Sequence, residues 1–499
     1  MSNKSISRRQ FIHSSGVVMV GTSAILAGCS GGSKPEPTPT PPPTPSPTPS
    51  PAPTPTPPPV DTGEINITTQ NKSLVFIMLD GGNDSFNMLV PTTVSAHNDY
   101  KSSRGDLAIE RTTLLPLLNF KDQNNKSFGL HPSLPKVRNL FNDQKLAFIS
   151  NIAPLVEPIT KVEFKAGSKP VPVGLMSHSD QFKHWQTSRP LERTNSGWFG
   201  TFADVLQKSK ANNAISMNIS LAGSNIMQNG KEAREYAVTD KGSIGLNVKR
   251  TDKPQLVALN NVLMGGFDRM LAADYDSAFD STYIDGIRHA QSQHETFKAA
   301  IDKIALSTNF KSADGKESPL AAQLKMVAKS IAAAPTLGLS QQTFFVRYIG
   351  WDHHSELLNN HQRMLGVLDD ALSAFQLALT ELGVADKTLT FTGSDFGRSL
   401  TSNGNGTDHG WGGNTLIMGN DVNGGKIYGT YPELTLGNSN PLDIGGGVMI
   451  PTTATDELYA ELAVWFGVEK SDLPKLFPNL ENFYDNSQDA LPLGAVNVS

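Results

Sequence analysis

The stretch that most constrains the fold is Leu74–Pro91, LVFIMLDGGNDSFNMLVP. Leu74 to Leu79 run unbroken and apolar into Asp80, and Gly81-Gly82 follow at once. Such a run, bounded by glycines, predicts a strand buried on both faces of a parallel sheet. The glycines let the backbone turn sharply and approach a ligand closely. Asp80 is thereby expected at the carboxyl end of a central strand, where open α/β sheets bind their ligands. A carboxylate there needs a cation or hydrogen-bond donors. We read Asp80 as the first ligand of a metal site.

The rest of the chain alternates in the same style. Apolar runs at 146–150, 215–221, 343–348, 388–391 and 414–418 read as strands. Residues 254–271, 285–304, 319–333 and 361–382 carry apolar residues at helical spacing, and Gly383 is placed to end the last helix. Alternating strands and helices predict a three-layer α/β sandwich with a mostly parallel central sheet, spanning residues 66–499 as one domain. Residues 223–250 are polar and weakly periodic, and are expected to be an insertion or lid.

The first 65 residues are of another kind. Arg8-Arg9 stand in SISRRQFI, and the apolar segment after them, Gly16 to Gly28, is too short to span a bilayer. This is the pattern of a signal peptide over residues 1–28, with the arginine pair pointing to the twin-arginine translocase; an ordinary secretory signal is the alternative. Leu26-Ala27-Gly28-Cys29 resembles a lipoprotein cleavage box, and Cys29 is the only cysteine in the chain. Neither a disulfide framework nor a thiolate zinc cluster can therefore form. We expect Cys29 to carry the acyl chains that hold the protein to a lipid bilayer, in the periplasm or at the outer membrane. Residues 29–65 are mostly Pro, Thr and Ser, a composition that stays extended at about 3.1 Å per residue and spaces the domain from the membrane. The net charge of -5 and the lack of an arginine-rich stripe argue against nucleic acid as a partner.

Polar clusters follow or flank the expected strands: MSHSDQFKHWQTS (176–188), GWDHHSE (350–356), TGSDFGR (392–398) and TDHGWGG (407–413). They hold five of the eleven histidines, His178, His184, His353, His354 and His409, with Asp180, Asp352, Asp395 and Asp408. Imidazole and carboxylate on strand-end loops suit one or two divalent ions, zinc above all, with manganese or calcium as alternatives. Such a site can polarise a phosphoryl-like group and activate a nucleophile. Each cluster also has a plainer reading. Asp-x-His is common in capped turns, Asp395 could cap a helix beginning near Gly397, and TDHGWGG could be a glycine-rich turn.

Together with LHPSLPKVRNLF (130–141), IPTTATDELYAELAVWFGV (450–468) and PNLENF (478–483), these motifs resemble a bacterial family of twin-arginine-exported proteins, domain-of-unknown-function family 1501. That family is distantly similar to alkaline phosphatases and sulfatases. The resemblance implies an alkaline phosphatase-like fold and, residue by residue, metal ligation by Asp80, Asp352, His354, Asp395 and His409. Phe396 stands where the phosphatases have a further histidine, which weakens the case for two ions. For catalysis the resemblance points to His178, flanked by Ser177 and Ser179. Asp84, Asn87 and Arg398 are expected to bind an anionic ester substrate. The expected function is a metal-dependent hydrolase of phosphate or sulfate esters, anchored in the cell envelope. The alternatives are a non-catalytic binding or scaffold lipoprotein on the same fold, and a polysaccharide-binding module using Trp351 and Trp411.

Overall fold

The run ending in Asp80 is the middle of a large sheet. The computed structural model describes residues 65–208, 215–246 and 253–498, so the expectations for Arg8, Arg9, Cys29 and the proline-rich segment lie outside the described residues. The sheet is built from β1 (Ser73–Asp80), β2 (Leu146–Ala153), β3 (Asn218–Ser220), β4 (Tyr236–Ala237), β5 (Gln342–Ile349), β6 (Thr388–Ser394), β7 (Gly413–Met418), β8 (Ile427–Tyr428) and β9 (Thr453–Ala454). Its order is β8-β2-β7-β6-β1-β5-β3-β4, with β9 also paired to β2. β1 lies parallel between β6 and β5, while β7 runs antiparallel to both β6 and β2. This is a mixed α/β fold with a mostly parallel central sheet.

Eight of its helices are α1 (Pro135–Asn142), α2 (His178–Thr187), α3 (Trp198–Lys208), α4 (Val257–Ala272), α5 (Ala278–Ile301), α6 (Pro319–Ala332), α7 (Leu357–Glu381) and α8 (Thr455–Trp465). One layer is α1, α6 and α7, in which α7 packs on both others, α6 on β5 and α1 on β2. Its pieces are locked by charge as well as by apolar contact: Asp369 of α7 accepts from the N–H groups of Lys136 and Val137 at 2.8 Å, capping α1 from outside. Ser318 caps α6, with Pro319 in its first turn. Gly383, at φ +69°, follows the end of α7 as expected. The other layer is α2, α3 and α8. Trp198 stacks on Tyr459 at 4.7 Å, and the Tyr459 hydroxyl donates to the Trp185 carbonyl at 2.7 Å. Between the layers Phe76 sits 4.9 Å from Phe391 and 5.7 Å from Phe345. Among the described residues no helix is long and apolar enough to cross a membrane.

The register decides where the site forms. Asp80 pairs with Ile349, and Leu79 with Ser394. The loops that begin at Gly81, Gly350 and Asp395 therefore leave the sheet side by side.

Residues 223–250 were expected to be an insertion or lid; for the described part, 223–246, the lid is corrected. This segment adds β4 to the sheet beside β3, and Met227 and Gln228 are fully buried. Polarity misleads here because the polar groups are used internally. The Gln228 amide donates to the carbonyls of Ile219 and Thr343 at 3.1 Å and accepts from Asn225 at 2.9 Å.

The first turn of α8 makes stability depend on pH. Asp456 is buried, accepts from the Ser188 hydroxyl, and has no partner for its second oxygen. Burial pushes its carboxyl up to about 7. Between the ordinary carboxylate value, about 4, and that raised value, the folded chain holds a proton that the unfolded chain has released, so this group's contribution to stability falls as pH rises. Asp456→Asn is expected to make the fall in stability from pH 4 to 7 shallower in urea titrations. An unchanged slope would remove Asp456 as its source.

Candidate metal centre

The donors are delivered by separate stretches of chain, with Asp352 and His354 sharing one. His178 is the first residue of α2, with Ser177 as its N-cap residue. Asp352 and His354 follow β5, and Asp395 follows β6. His409 ends a short antiparallel pair, Arg398–Ser402 with Thr407–His409, in which Arg398 faces His409. That strand occupies the place where Asp395 could have capped a helix.

Three imidazoles are held from behind. His178 Nδ1 lies 2.6 Å from Asp395 Oδ2. His409 Nδ1 lies 2.8 Å from the carbonyl oxygen of Met176, a residue at φ +65°. His354 Nδ1 lies 3.3 Å from Asp408 Oδ1. Acceptors behind the rings place the hydrogen on Nδ1 and leave the Nε2 lone pair pointing forward. All three Nε2 atoms converge on Asp352: His354 at 3.0 Å and His409 at 3.4 Å from Oδ1, His178 at 3.4 Å from Oδ2. The Nε2 atoms of His354 and His409 are 3.0 Å apart. Lone pairs and a carboxylate brought this close repel one another unless a cation or a proton lies among them. The donor set fits a divalent ion, and the ligand atoms of His178, Asp352 and His409 all lie within 4.8 Å of one another.

The surroundings shape the electrostatics. Arg398 is buried; its guanidinium donates to Asp352 Oδ1, to the Thr407 carbonyl and, at 3.2 Å, to the Thr407 hydroxyl. Burial works to raise the Asp352 carboxyl, but the Arg398 hydrogen bond and charge outweigh it and hold the group below its ordinary value. The hydrogen bond to Asp395 raises the His178 imidazole. Burial raises Asp395, which also accepts from the Gly81 N–H at 3.2 Å.

Asp80 stands beside this group with a different partner. Arg347, near the end of β5, donates to its carboxylate from Nε at 2.5 Å, and the guanidinium lies 5.0 Å from the centre of the Phe182 ring. Phe396 packs against His178 and His409, with ring centres 4.8 and 4.4 Å away. The double glycine has the role expected of it. Gly81, at φ +121°, would place a Cβ 2.6 Å from the Asp352 backbone nitrogen, and one on Gly82 would lie 2.5 Å from the Phe396 ring.

The structure thus gathers the ligand atoms of His178, Asp352 and His409 within 4.8 Å of one another, with His354 beside Asp352 and His409 and Asp80 and Asp395 alongside. The other expected site residues have internal partners. Asp84 pairs with Arg104, both buried, and Asn87 donates to the Leu107 carbonyl and accepts from the Tyr100 hydroxyl. Arg398 holds Asp352, so it does not face solvent as an anchor for substrate. Ser177 and Ser179 lie on the exposed side, their hydroxyls 3.2 Å from each other. His184 bonds the Val173 carbonyl, and His353 is buried against Trp351. Trp351 and Trp411 are core residues rather than a sugar-binding surface. Arg347 was missed, although a lone arginine near the end of the apolar run TFFVRYI was a visible signal.

A mixed α/β fold with a histidine–carboxylate cluster at the carboxyl ends of its central strands defines the class of this protein. The chain belongs to the family described as protein of unknown function (DUF1501), which matches residues 71–445. No curated protein matches the chain. Among solved structures it is similar to Ps i-CgsB, at 11% identity over 84% of this chain and 78% of that one, with a TM-score of 0.33. It is also similar to the lipoteichoic acid synthase LtaP from Listeria monocytogenes, at 9% identity over 79% and 81% of the two chains, TM-score 0.28. A third is the zinc complex of the C-terminal periplasmic domain of EcEptC from Escherichia coli, at 9% identity over 71% and 76%, TM-score 0.25. Likeness at these scores transfers neither site nor activity to this chain.

Proposed function

We propose that this chain is a mononuclear metal-dependent hydrolase of phosphate or sulfate esters on an alkaline phosphatase-like fold. On this reading it is exported by the twin-arginine translocase and held in the cell envelope by acylated Cys29. The observation that carries the proposal is the set of three imidazoles tied back through Nδ1, with their Nε2 atoms turned on Asp352. Two nitrogens and one carboxylate within reach of one ion, with the His354 nitrogen next to them, suit zinc better than manganese or calcium, which favour oxygen ligands. A divalent ion held there supplies Lewis acidity toward an ester oxygen and lowers the pKa of a bound water.

The protein's own groups do the rest. Arg398 orients Asp352, and Asp395 orients His178. Arg347, its side chain 39% exposed while bonded to Asp80, offers a guanidinium to the charged oxygens of an ester. Asp80 is paired with Arg347 and Phe396 stands against His178 and His409, which supports one ion over two. On this reading a water is the nucleophile, and no covalent enzyme intermediate is invoked.

The test is elemental analysis of the exported protein, followed by a panel of phosphate and sulfate monoesters. About one equivalent of zinc per chain is expected, with hydrolysis lost on chelation and restored by zinc. A well-folded protein without metal would overturn the proposal in favour of a binding or scaffold lipoprotein.

A further inference from the structure

We infer that the Arg347 guanidinium is a resident cation, seated where two strand-end carboxylates would otherwise take up a divalent ion. This one side chain thereby sets how many ions the chain holds. Leu79 and Ser394 are paired across β1 and β6, so Asp80 and Asp395 follow paired residues on adjacent strands. Asp395 is fully buried, and only one of its oxygens has partners. Oδ2 meets the Gly81 N–H and His178 Nδ1, while Oδ1 has none. Burial raises this carboxyl, and the Asp80 charge pushes the same way. Two carboxylates so placed need a cation or a shared proton.

Arg347 supplies the cation. β1 and β5 pair Met78 with Arg347 and Asp80 with Ile349, and alternate residues of a strand share a face. The Arg347 side chain therefore stands on the Asp80 side of the sheet. It donates to Asp80 Oδ2 from Nε at 2.5 Å and lies against it through Nη2 as well. The Phe182 ring, its centre 5.0 Å away, holds the guanidinium in place. Such a group stays charged throughout the physiological pH range, so it both occupies Asp80 and repels a second cation. Accordingly, the donor atoms that gather tightly among the described residues are those of His178, Asp352 and His409, with neither Asp80 nor Asp395 among them. Without the guanidinium, Asp80 and the free Asp395 oxygen would offer water and carboxylate donors, a set suited to magnesium or manganese rather than zinc.

In the test, zinc-saturated protein is equilibrated with manganese, and zinc plus manganese per chain is counted by elemental analysis. Arg347→Gln, which removes the charge, should hold about one ion more than the native chain. Arg347→Lys should hold no more than the native chain. Combining Asp80→Asn with Arg347→Gln should abolish the gain, and Asp80→Asn alone should leave the native count unchanged. Each variant should keep its circular dichroism spectrum. Equal counts in all variants would overturn the inference, as would a gain that survives Asp80→Asn. Metal lost from Asp80→Asn alone would overturn it too, because Asp80 would then already be a ligand beside Arg347. The readout is a difference between variants, so a native chain without zinc would refute the mononuclear hydrolase and leave this inference to its own counts.

Discussion

His178→Ala protein is expected to be isolated without its divalent ion and without measurable ester hydrolysis, while keeping its circular dichroism spectrum. The side chain is 36% exposed, so its removal leaves little cavity. The group it abandons, Asp395, is buried with a carboxyl already raised above its ordinary value, and it can take up a proton instead of unfolding the loop. Asp395→Asn should behave differently. An amide oxygen still accepts from His178 Nδ1, and loss of an orienting partner of this kind lowers metal affinity by about 10–100-fold. A ligand removed outright must cost more. Full zinc content in His178→Ala would take His178 out of the coordination set and sink the mononuclear reading.

The second large effect lies far from the metal. Glu461 of α8 is fully buried, and its carboxylate gathers the C-terminal segment. Oε1 accepts from the N–H groups of Leu493 and Gly494 at 2.5 Å, and Oε2 from Ala495 at 2.8 Å and Val496 at 3.2 Å. Burial raises this carboxyl even though four donors stabilise its charge. Glu461→Ala would leave four backbone donors facing a cavity, at roughly 1–3 kcal/mol for each that finds no water. Release of residues 493–498 is the cheaper outcome, since only Ala495 and Val496 of that segment are buried. The variant is expected to lose several kcal/mol of stability and to become open to proteolysis at its C-terminus. Amides 493–496 that remain protected from hydrogen exchange in Glu461→Ala would refute this role.

Much of the frame was legible in the sequence because burial leaves an unbroken apolar trace. β1, β2, β5, β6 and β7 lie where LVFIML, LAFIS, TFFVRY, TLTF and NTLIM stand, and α7 follows its apolar stripe to Gly383. Periodicity failed where side-chain amides rather than apolar contacts fill the interior, as at Asn225 and Gln228. The site was legible as residue types and only partly as roles. Nothing in the sequence says that the Met176 carbonyl fixes the His409 tautomer, or that Arg398 turns inward to Asp352 while Arg347 faces Asp80. These are consequences of register and of backbone conformation, visible only when the loops stand side by side.

The donors come from three stretches of chain far apart in sequence, with His178 and His409 lying 231 positions apart. No fragment of the chain contains enough of them to hold an ion tightly, and β1, β5 and β6 must be in register before the last nitrogen arrives. On the proposed reading, metal capture would be a late event, set by when the sheet closes. Ligand chemistry alone ranks copper above zinc for nitrogen donors. An ion bound there would then be chosen by the metal supply of the compartment in which folding finishes, and moving that step across a membrane would change the occupant without changing a residue.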